Sequence, residues 1–421
     1  MASGNPGILR TLRNPNFGLY TAGHAVSLIG TWMQRVAVGW LAWELTQSTA
    51  WLGIIAAANF LPSVFIGLFA GAIADRVDRL RLIVSAQRLL MVQAVALFAL
   101  TAAGLITIEA LVGLVLFHGV VVGFNQPANK ALIPSLIPRD GLPTALAINS
   151  IVFNLARFIG PVVAGVFIVA GGLSAAFAVN AVSYLAFLAA LSRLRIDAAE
   201  RKPALVSSAT LLGQVADGMR YVAGHPGIGP LLLLYAAVAL SGRPVVEMLP
   251  GFASQVFGGG AETLATLTAT MGLGAIAAGV WLARRGPAPG LTRTTVASVM
   301  GLVFATLLFA STEALWVGMA AIACFGFFAV SASIGTQTLI QLAVASNMRG
   351  RVFGLHGIVF RGGTAVGALA IGAVSEWVGL RWSVAGATVL MILAWTWAWN
   401  RRVSISAALE DGDDARLNGE P

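Results

Sequence analysis

The sequence has little charge. Only 10% of its 421 residues are Asp, Glu, Lys or Arg, whereas soluble domains carry about 25%. In contrast, 58% of the residues are hydrophobic, and several runs exceed the roughly 18–20 apolar residues that span about 30 Å of hydrocarbon. The composition therefore predicts an all-α membrane protein with many crossings. A β-barrel would show alternating segments of about ten residues instead.

Residues that build catalytic and metal sites are also scarce. Cys324 is the single cysteine, which excludes an internal disulfide and a cysteine-based metal cluster. The four histidines lie far apart without an HExxH motif, and neither lysine follows a glycine as a P-loop requires. We therefore predict that the protein is not an enzyme and holds no metal and no cofactor.

Twelve apolar segments are long enough to cross the bilayer. We predict transmembrane helices over 17–43, 51–74, 82–104, 109–129, 143–170, 173–192, 228–250, 263–283, 294–312, 314–338, 352–376 and 380–400. A polar linker at 193–227 separates an N-terminal six-helix bundle, 1–192, from a C-terminal bundle, 228–402. The tail, 403–421, is polar and acidic and is predicted to be disordered and cytoplasmic.

The positive charge lies in alternate loops. With both termini inside, the inner loops hold most of the 26 basic residues, and the outer loops hold only Arg381. Basic loops stay in the cytoplasm during insertion, so we predict a multi-pass protein of a bacterial cytoplasmic membrane. Because the net charge of +9 is spread over short loops, it does not indicate a nucleic-acid partner.

The two halves of the chain resemble each other. The stretch INSIVFNLARFIGPVVAG at 148–165 aligns without gaps to LHGIVFRGGTAVGALAIG at 355–372, an offset of 207 residues. Near Arg76 the offset is 208, where GAIADR matches GVWLAR. Both copies begin on the same side of the membrane, so the sequence predicts two parallel six-helix repeats.

These features resemble the major facilitator superfamily. The stretches GTWMQRVAVGWLAWELTQS (30–48), NQPANKALIPSLIPRDGLPTALAINS (125–150) and NMRGRVFGLHG (347–357) are similar to the branch that contains the enterobactin exporter and macrolide efflux proteins. The resemblance covers about 15–400. It implies the twelve-helix major facilitator fold and transport of a small molecule.

The loop between helices 2 and 3 resembles a gating motif of that superfamily. The matching residues are Gly71, Asp75, Arg76, Arg79 and Arg81. Asp78 stands where many members have glycine. The resemblance implies that this loop locks the cytoplasmic side, and a carboxylate such as Asp75 would gain from a neighbouring helix dipole. The alternative is a basic loop that serves only to set topology.

Helix 5 resembles the antiporter signature of the superfamily. Gly160, Pro161 and Gly165 are kept, while Ala156 and Ala164 replace glycines. The alternative is a plain packing face, because small residues let helices approach closely. Many proton-coupled drug exporters carry an arginine in helix 4, but residues 110–129 contain His118 and no arginine.

Four arginines fall inside predicted helices, namely Arg35, Arg157, Arg243 and Arg361. Each costs about 2.5–3.5 kcal/mol at a helix centre on insertion scales, so it is expected to face a cavity or a partner. In this superfamily helices 1, 5, 7 and 11 line the central cavity, which implies a cationic site suited to an acidic substrate. Pairing of each arginine with backbone carbonyls is the alternative.

Glu247 is the one acid well inside a predicted helix, and it follows Arg243 by four residues. At α-helical spacing the two would share a face, and Pro244 between them is expected to break the helix locally. A buried carboxylate with a partner that can leave suits a proton carrier. Neutralisation of Arg243 is the alternative. Further polar candidates for the cavity are Asn59, Asn125, Asn154, Gln337 and Gln341, with Trp32 and Phe153 as aromatic partners.

The sequence thus predicts a secondary exporter of a small amphipathic molecule, a drug, siderophore or metabolite. We expect alternating access and proton antiport, with membrane lipid around a monomer. Glu247 and Arg243 would carry the proton coupling. An uncoupled facilitator of the same fold, a non-transporting receptor and a lipid flippase are the alternatives.

Overall fold

The structure, a computed structural model, describes residues 7–74, 77–196, 211–286, 290–345 and 347–410. Over these ranges the regular secondary structure is helical, without a strand. The chain forms two compact units. Unit 1 comprises Met1–Thr46 and Leu61–Ser208, and unit 2 comprises Gln47–Phe60 and Ala209–Pro421.

Unit 1 contains the early helices of the chain. They are α1 (Ile8–Leu12), α2 (Pro15–Thr46), the second half of α3 (Thr49–Ala74), α4 (Arg79–Ala102), α5 (Ile108–Leu132) and α6 (Leu142–Ser192). Short 3₁₀ turns at Ile133–Ser135 and Arg139–Gly141 connect α5 to α6.

Unit 2 contains the first half of α3 and the later helices. These are α7 (Leu211–Gly224), α8 (Ile228–Ala237), α9 (Leu249–Gly251), α10 (Ala261–Arg285), α11 (Leu291–Ser311), α12 (Leu315–Ala343), α13 (Arg349–Val378), α14 (Leu380–Asn400) and α15 (Arg402–Leu409). The predicted N-terminal bundle, 1–192, includes residues 47–60, but in the structure these residues pack with unit 2.

The predicted membrane architecture is confirmed. Ten helices of the described residues are long and apolar enough to cross a membrane. α6 counts once among them, although its 51 residues rise about 76 Å at about 1.5 Å per residue, enough for two crossings. Gly172 interrupts α6 at φ 74° and ψ −179°, between the two helices predicted there. Because α2 is not among the ten, the count of twelve stays a prediction.

Buried amide side chains join three helices of unit 1. Gln34 Nε2 on α2 donates to Gln93 Oε1 on α4 at 3.0 Å, and Asn180 Nδ2 on α6 donates to Gln34 Oε1 at 2.7 Å. Ser183 Oγ donates to Asn180 Oδ1 at 3.0 Å. Hydrogen bonds of this kind between membrane helices contribute on average about 0.6 kcal/mol each. They fix α2, α4 and α6 against one another.

Unit 2 contains the predicted helix over 228–250, which is interrupted. α8 ends at Ala237, a π-helical segment covers Val238–Gly242, and a 3₁₀ turn covers Arg243–Val246. Pro244 accounts for the change, because it has no N–H to donate and its ring excludes a regular α-turn. The predicted local break is confirmed.

The end of the chain differs from its prediction. Where the sequence predicted a disordered tail from residue 403, Arg402–Leu409 form α15. Ile405 and Leu409 are buried in the apolar core of unit 2, which explains why this short segment is ordered. Residues 411–421 lie outside the described residues.

Candidate functional site

Two arginines surround one tryptophan in unit 1. The Cζ atom of Arg35 lies 5.1 Å from the ring centroid of Trp32, and that of Arg157 lies 5.6 Å from the same ring. Phe153 packs edge-on against Trp32, with 6.0 Å between ring centroids. We call Trp32, Arg35, Phe153 and Arg157 the arginine–tryptophan cluster. It joins α2 to the first part of α6.

The motif predicted for helix 5 lies in the first part of α6 and brings these residues together. A Cβ at Gly160 would collide with the Cβ of Trp32 and would lie 3.1 Å from the backbone nitrogen of Met33. Only glycine therefore permits this approach of α6 to α2. Pro161 and Gly165 are buried in the same helix. The antiporter signature stays a prediction for this motif, with a plain packing face as the alternative.

The cluster is only partly buried. Trp32, Arg35 and Arg157 have intermediate exposure and Phe153 is exposed. Guanidinium groups over an indole combine cation–π attraction with donors for a carboxylate or phenolate. The arrangement suits an anionic or acidic amphipathic molecule.

Unit 2 contains a second arginine–aromatic contact. The Cζ atom of Arg243 lies 3.8 Å from the ring centroid of Phe360 on α13. Tyr235 stacks on His356 with 4.6 Å between centroids and on Phe360 with 6.3 Å. The Tyr235 hydroxyl lies 3.3 Å from the hydroxyl of Ser333 on α12. Arg243 is thus positioned where the helix changes from π to 3₁₀ geometry.

The arginine of each contact and a phenylalanine close to it lie at matching places in the two repeats, although the ring that Arg35 contacts, Trp32, is matched by Leu240. Phe153 and Phe360 differ by 207 residues, and Arg35 and Arg243 differ by 208, the offsets found from the alignment of the halves. The sequence already contained this signal, which the separate reading of each arginine missed. Unit 1 therefore places Arg35 and Arg157 beside an aromatic ring, and unit 2 places Arg243, the counterpart of Arg35, beside another.

Glu247 and Arg361 are both half-buried. The backbone N–H of Glu247 donates to the carbonyl of Pro244 at 2.9 Å and ends the 3₁₀ turn. In this turn residues four apart no longer share a face as they do in an α-helix, so the predicted alignment of Glu247 with Arg243 does not follow from spacing. Arg361 follows Phe360 directly.

The predicted polar cavity residues differ in their surroundings. Asn125 is buried and accepts from Asn129 Nδ2 at 3.0 Å, while the Tyr20 hydroxyl donates to Asn129 Oδ1 at 3.2 Å. Asn154 is exposed and donates to the Ser150 carbonyl of its own helix at 2.8 Å. Gln337 and Gln341 are exposed on α12, and Asn59 is half-buried in the first half of α3.

Some of the predicted gating residues make local contacts, and others lie outside the described residues. Asp78 caps α4 by accepting from the N–H groups of Leu80 at 2.9 Å and Arg81 at 3.1 Å. Arg79 donates to the Ala131 carbonyl at the end of α5 at 3.1 Å. Gly71 lies in α3, whereas Asp75 and Arg76 lie outside the described residues. The role of this loop as a cytoplasmic gate stays a prediction.

Sequence reasoning missed one acidic residue with several partners. Glu376, at the end of α13, was not among the candidate residues that the sequence indicated. Its Oε1 accepts hydrogen bonds from residues at the start of α3, which lie in the same unit. No local sequence pattern signals this contact, because the partners are more than 300 residues apart.

Known proteins resemble the chain over nearly its full length. The staphyloferrin A transporter of Staphylococcus aureus is 22% identical over 386 residues, 90% of this chain and 94% of the relative. The enterobactin exporter of Salmonella choleraesuis is 25% identical over 376 residues, covering 88% and 87%. Macrolide efflux protein A of Streptococcus pyogenes is 22% identical over 379 residues, covering 89% and 93%. The predicted resemblance to this branch is confirmed.

A solved structure confirms the fold. It is an inward-facing, unoccupied bacterial homolog of the human lysosomal transporter Spinster, with TM-score 0.73 and 15% identity, covering 94% of this chain and 98% of its own. The family described as transmembrane secretion effector matches residues 7–419. The chain therefore belongs to this family and is a multi-pass membrane transporter of the major facilitator superfamily, not an enzyme.

Proposed function

We propose that the protein exports a small amphipathic molecule with acidic groups from the cytoplasm by alternating access, in exchange for protons. The observation that carries this proposal is the arginine–tryptophan cluster, where Arg35 and Arg157 place two positive charges at one aromatic ring. A largely apolar site with a few directed polar groups is typical of binding sites for such molecules. The second contact, of Arg243 with Phe360, supports the same substrate chemistry.

The relatives support export of a siderophore or a drug. Two are named for the siderophores staphyloferrin A and enterobactin, and one for macrolide efflux. We place the protein in a bacterial cytoplasmic membrane with both termini inside, because the basic residues lie in alternate loops. We take it to act as a monomer, with small-molecule substrate, protons and lipid as its partners.

Proton coupling is assigned to Glu247, with Arg243 as its modulator. Glu247 is half-buried next to a helix break, where backbone irregularity and an acid occur together. Broken helices at a transport site are where other secondary transporters hold their coupling ions. Glu247→Gln is expected to abolish uphill export and to leave substrate exchange intact. Uphill export by this variant at the wild-type rate would contradict the assignment of proton coupling to Glu247.

An uncoupled facilitator is the second candidate. It is favoured by the fourth predicted helix, α5 of the structure, which contains His118 and lacks the arginine that many proton-coupled exporters carry there. In such a protein Glu247 would serve only to neutralise Arg243.

The deciding experiment uses purified protein in proteoliposomes that hold a pH gradient. Catechol siderophores, carboxylate siderophores and macrolides are added one at a time, while internal pH and the labelled compound are both followed. Proton movement that depends on the substrate would establish antiport and identify the substrate class. Transport of the compound with a flat pH trace would favour the facilitator. Passage of none of these classes would contradict the proposed substrate chemistry.

A further inference from the structure

Helix α3 belongs to both units. Its first half, up to Phe60, packs with unit 2, and its second half, from Leu61, packs with unit 1. Pro62 lies at this division and cannot donate a hydrogen bond to the carbonyl four residues earlier. In the second half, a Cβ at Gly123 of α5 would lie 2.9 Å from Ile66 Cβ, so α3 and α5 pack closely there. A proline that removes one backbone bond gives α3 a place to bend.

One carboxylate accepts several hydrogen bonds from the start of α3. Glu376 Oε1 accepts from Ser48 Oγ at 2.7 Å, from Ala50 N at 3.0 Å and from Thr49 Oγ1 at 3.1 Å. A helix N-terminus has unpaired N–H groups and a partial positive charge, which a carboxylate satisfies. Glu376 therefore acts as a cap for α3, but it is supplied by α13, over 300 residues away.

The same two helices approach closely behind the cap. A Cβ at Gly53 would lie 2.5 Å from the Ala368 carbonyl oxygen, and a Cβ at Gly372 would lie 2.5 Å from the Thr49 carbonyl oxygen. Thr49 Oγ1 also donates to the Gly372 carbonyl at 3.2 Å. The contact is small, backbone to backbone, and ends at an exposed carboxylate. Water can replace the carboxylate's partners when the helices separate, so this contact can open and close reversibly.

We infer that Glu376 is a positioning residue that holds the first half of α3 against α13 and so closes the outer end of the transporter, with α3 bending at Pro62 when the contact opens. This inference rests on the proposed transport by alternating access, in which the outer end must open once per cycle. In the proposed orientation, Thr49 and Glu376 both lie at the outer surface. Loss of the carboxylate should favour the open form without removing any residue of the arginine–tryptophan cluster.

A cysteine inside the contact reports opening directly. Ala56 is 2% exposed and lies seven residues after Thr49, on the same face of α3 and beyond the reach of simple fraying at the helix end. Ala56→Cys in a Cys324→Ser background is labelled from outside with a membrane-impermeant maleimide. Glu376→Ala should raise the labelling rate roughly fivefold, the factor expected for loss of one N-cap interaction. Glu376→Gln, which keeps an acceptor oxygen, should fall between this variant and the parent.

Glu262 supplies the matched control. It accepts from Gly260 N at 2.9 Å and so caps the start of its own helix, α10, without linking two distant segments. Glu262→Gln should leave the labelling rate at the parent value. Hydrogen–deuterium exchange at Ala50 provides a cysteine-free second measurement, and it should also rise in Glu376→Ala.

The outcomes separate this inference from the proposed function. Unchanged labelling and unchanged exchange in a folded Glu376→Ala variant would overturn the closing role. Equal increases in Glu262→Gln and Glu376→Gln would also overturn it, since they would indicate general loosening. Faster labelling confined to the Glu376 variants supports the role, even if no tested compound is transported by the parent protein. In that case the proposed substrate chemistry fails and the assignment of Glu376 stands.

Discussion

At the residue scale, the guanidinium of Arg35 can contribute both charge and a flat surface at Trp32. Its Cζ atom lies 5.1 Å from the indole centroid. We expect Arg35→Gln to weaken binding of an acidic amphipath about tenfold, or about 1.4 kcal/mol, within the range of a partly desolvated cation–π contact with its charge. Arg35→Lys should recover only part, because an ammonium keeps the charge but loses the planar donors.

Titration calorimetry on detergent-solubilised protein checks this expectation. Each acidic ligand is compared with its uncharged methyl ester, whose binding should change little in Arg35→Gln. Arg293→Gln, at an exposed position on α11, is the control for loss of one positive charge. An equal loss of affinity for acid and ester would show that Arg35 acts through packing alone.

His225 makes hydrogen bonds that require the neutral form of its ring. Its Nδ1 accepts from the N–H groups of Gly227 at 3.1 Å and Ile228 at 3.2 Å, which only the neutral ring can do. Partial burial lowers the pKa of His225 below its ordinary value. The unfolded chain therefore binds the proton more readily, so this stabilisation is present above about pH 6.5 and is lost as the pH falls below it.

The expected result is a decrease in the thermal unfolding temperature of the protein between about pH 7 and pH 5. His225→Ala should be less stable than the parent at pH 7.5 and should show a smaller decrease over that interval. Differential scanning fluorimetry across this pH range measures both. An unchanged pH profile in His225→Ala would assign the acid sensitivity to other groups.

At the element scale, a glycine of α13 permits close packing against the break in the helix after α8. A Cβ at Gly367 would collide with the Leu240 carbonyl oxygen and would lie 2.7 Å from Cγ of Pro244. Gly367→Ala is therefore expected to push α13 away from the π-helical segment and to cost about 1–3 kcal/mol, as overpacking does. The unfolding temperature should fall by several degrees.

Gly362 lies five residues earlier on the same helix and provides the control. A Cβ there would meet no atom within 4 Å, so Gly362→Ala should be neutral or slightly stabilising. Thermal unfolding of the two variants side by side checks the difference. If both variants lose the same stability, the loss reflects helix propensity or lipid contact and not the approach to Pro244.

Hydropathy predicted most of these elements because each crossing needs a long apolar run of its own. The predicted segment 352–376 corresponds to α13 (Arg349–Val378), and 109–129 to α5 (Ile108–Leu132). Hydropathy carries no information about which residues distant in the sequence contact each other. It therefore missed the cap that Glu376 provides for α3 and the burial of Ile405 that orders α15.

At the scale of the whole molecule, the membrane environment explains why part of the candidate site was predictable. Charged residues inside a membrane are costly, so Arg35, Arg157 and Arg243 could be identified from the sequence. Their aromatic partners could not, since a contact such as Arg243 with Phe360 joins positions 117 residues apart. The matched offsets of 207 and 208 residues were the available signal, and they acquire meaning only once the contacts in each unit are known.

The last described residues also bear on how much of the chain is needed for folding. α15 buries Ile405 and Leu409 in the core of unit 2, and a Cβ at Gly227 would lie 2.6 Å from Cγ of Leu409. Glu410 accepts from Gly290 N at 2.5 Å and from Thr292 N at 2.6 Å, which caps the start of α11. Each buried apolar side chain contributes at most about 1.5–3 kcal/mol.

Two truncations therefore have opposite expected results. A chain ending at Glu410 retains the two apolar anchors and the cap of α11 and should unfold at the parent temperature. A chain ending at Arg401 loses both apolar anchors and the cap of α11, so it should unfold at least several degrees lower or fail to accumulate in the membrane. Full-length Glu410→Gln separates the contributions, since it keeps the apolar anchors and weakens only the cap, by about 1 kcal/mol. Equal stability of the two truncated chains would show that α15 is not required for the packing of unit 2.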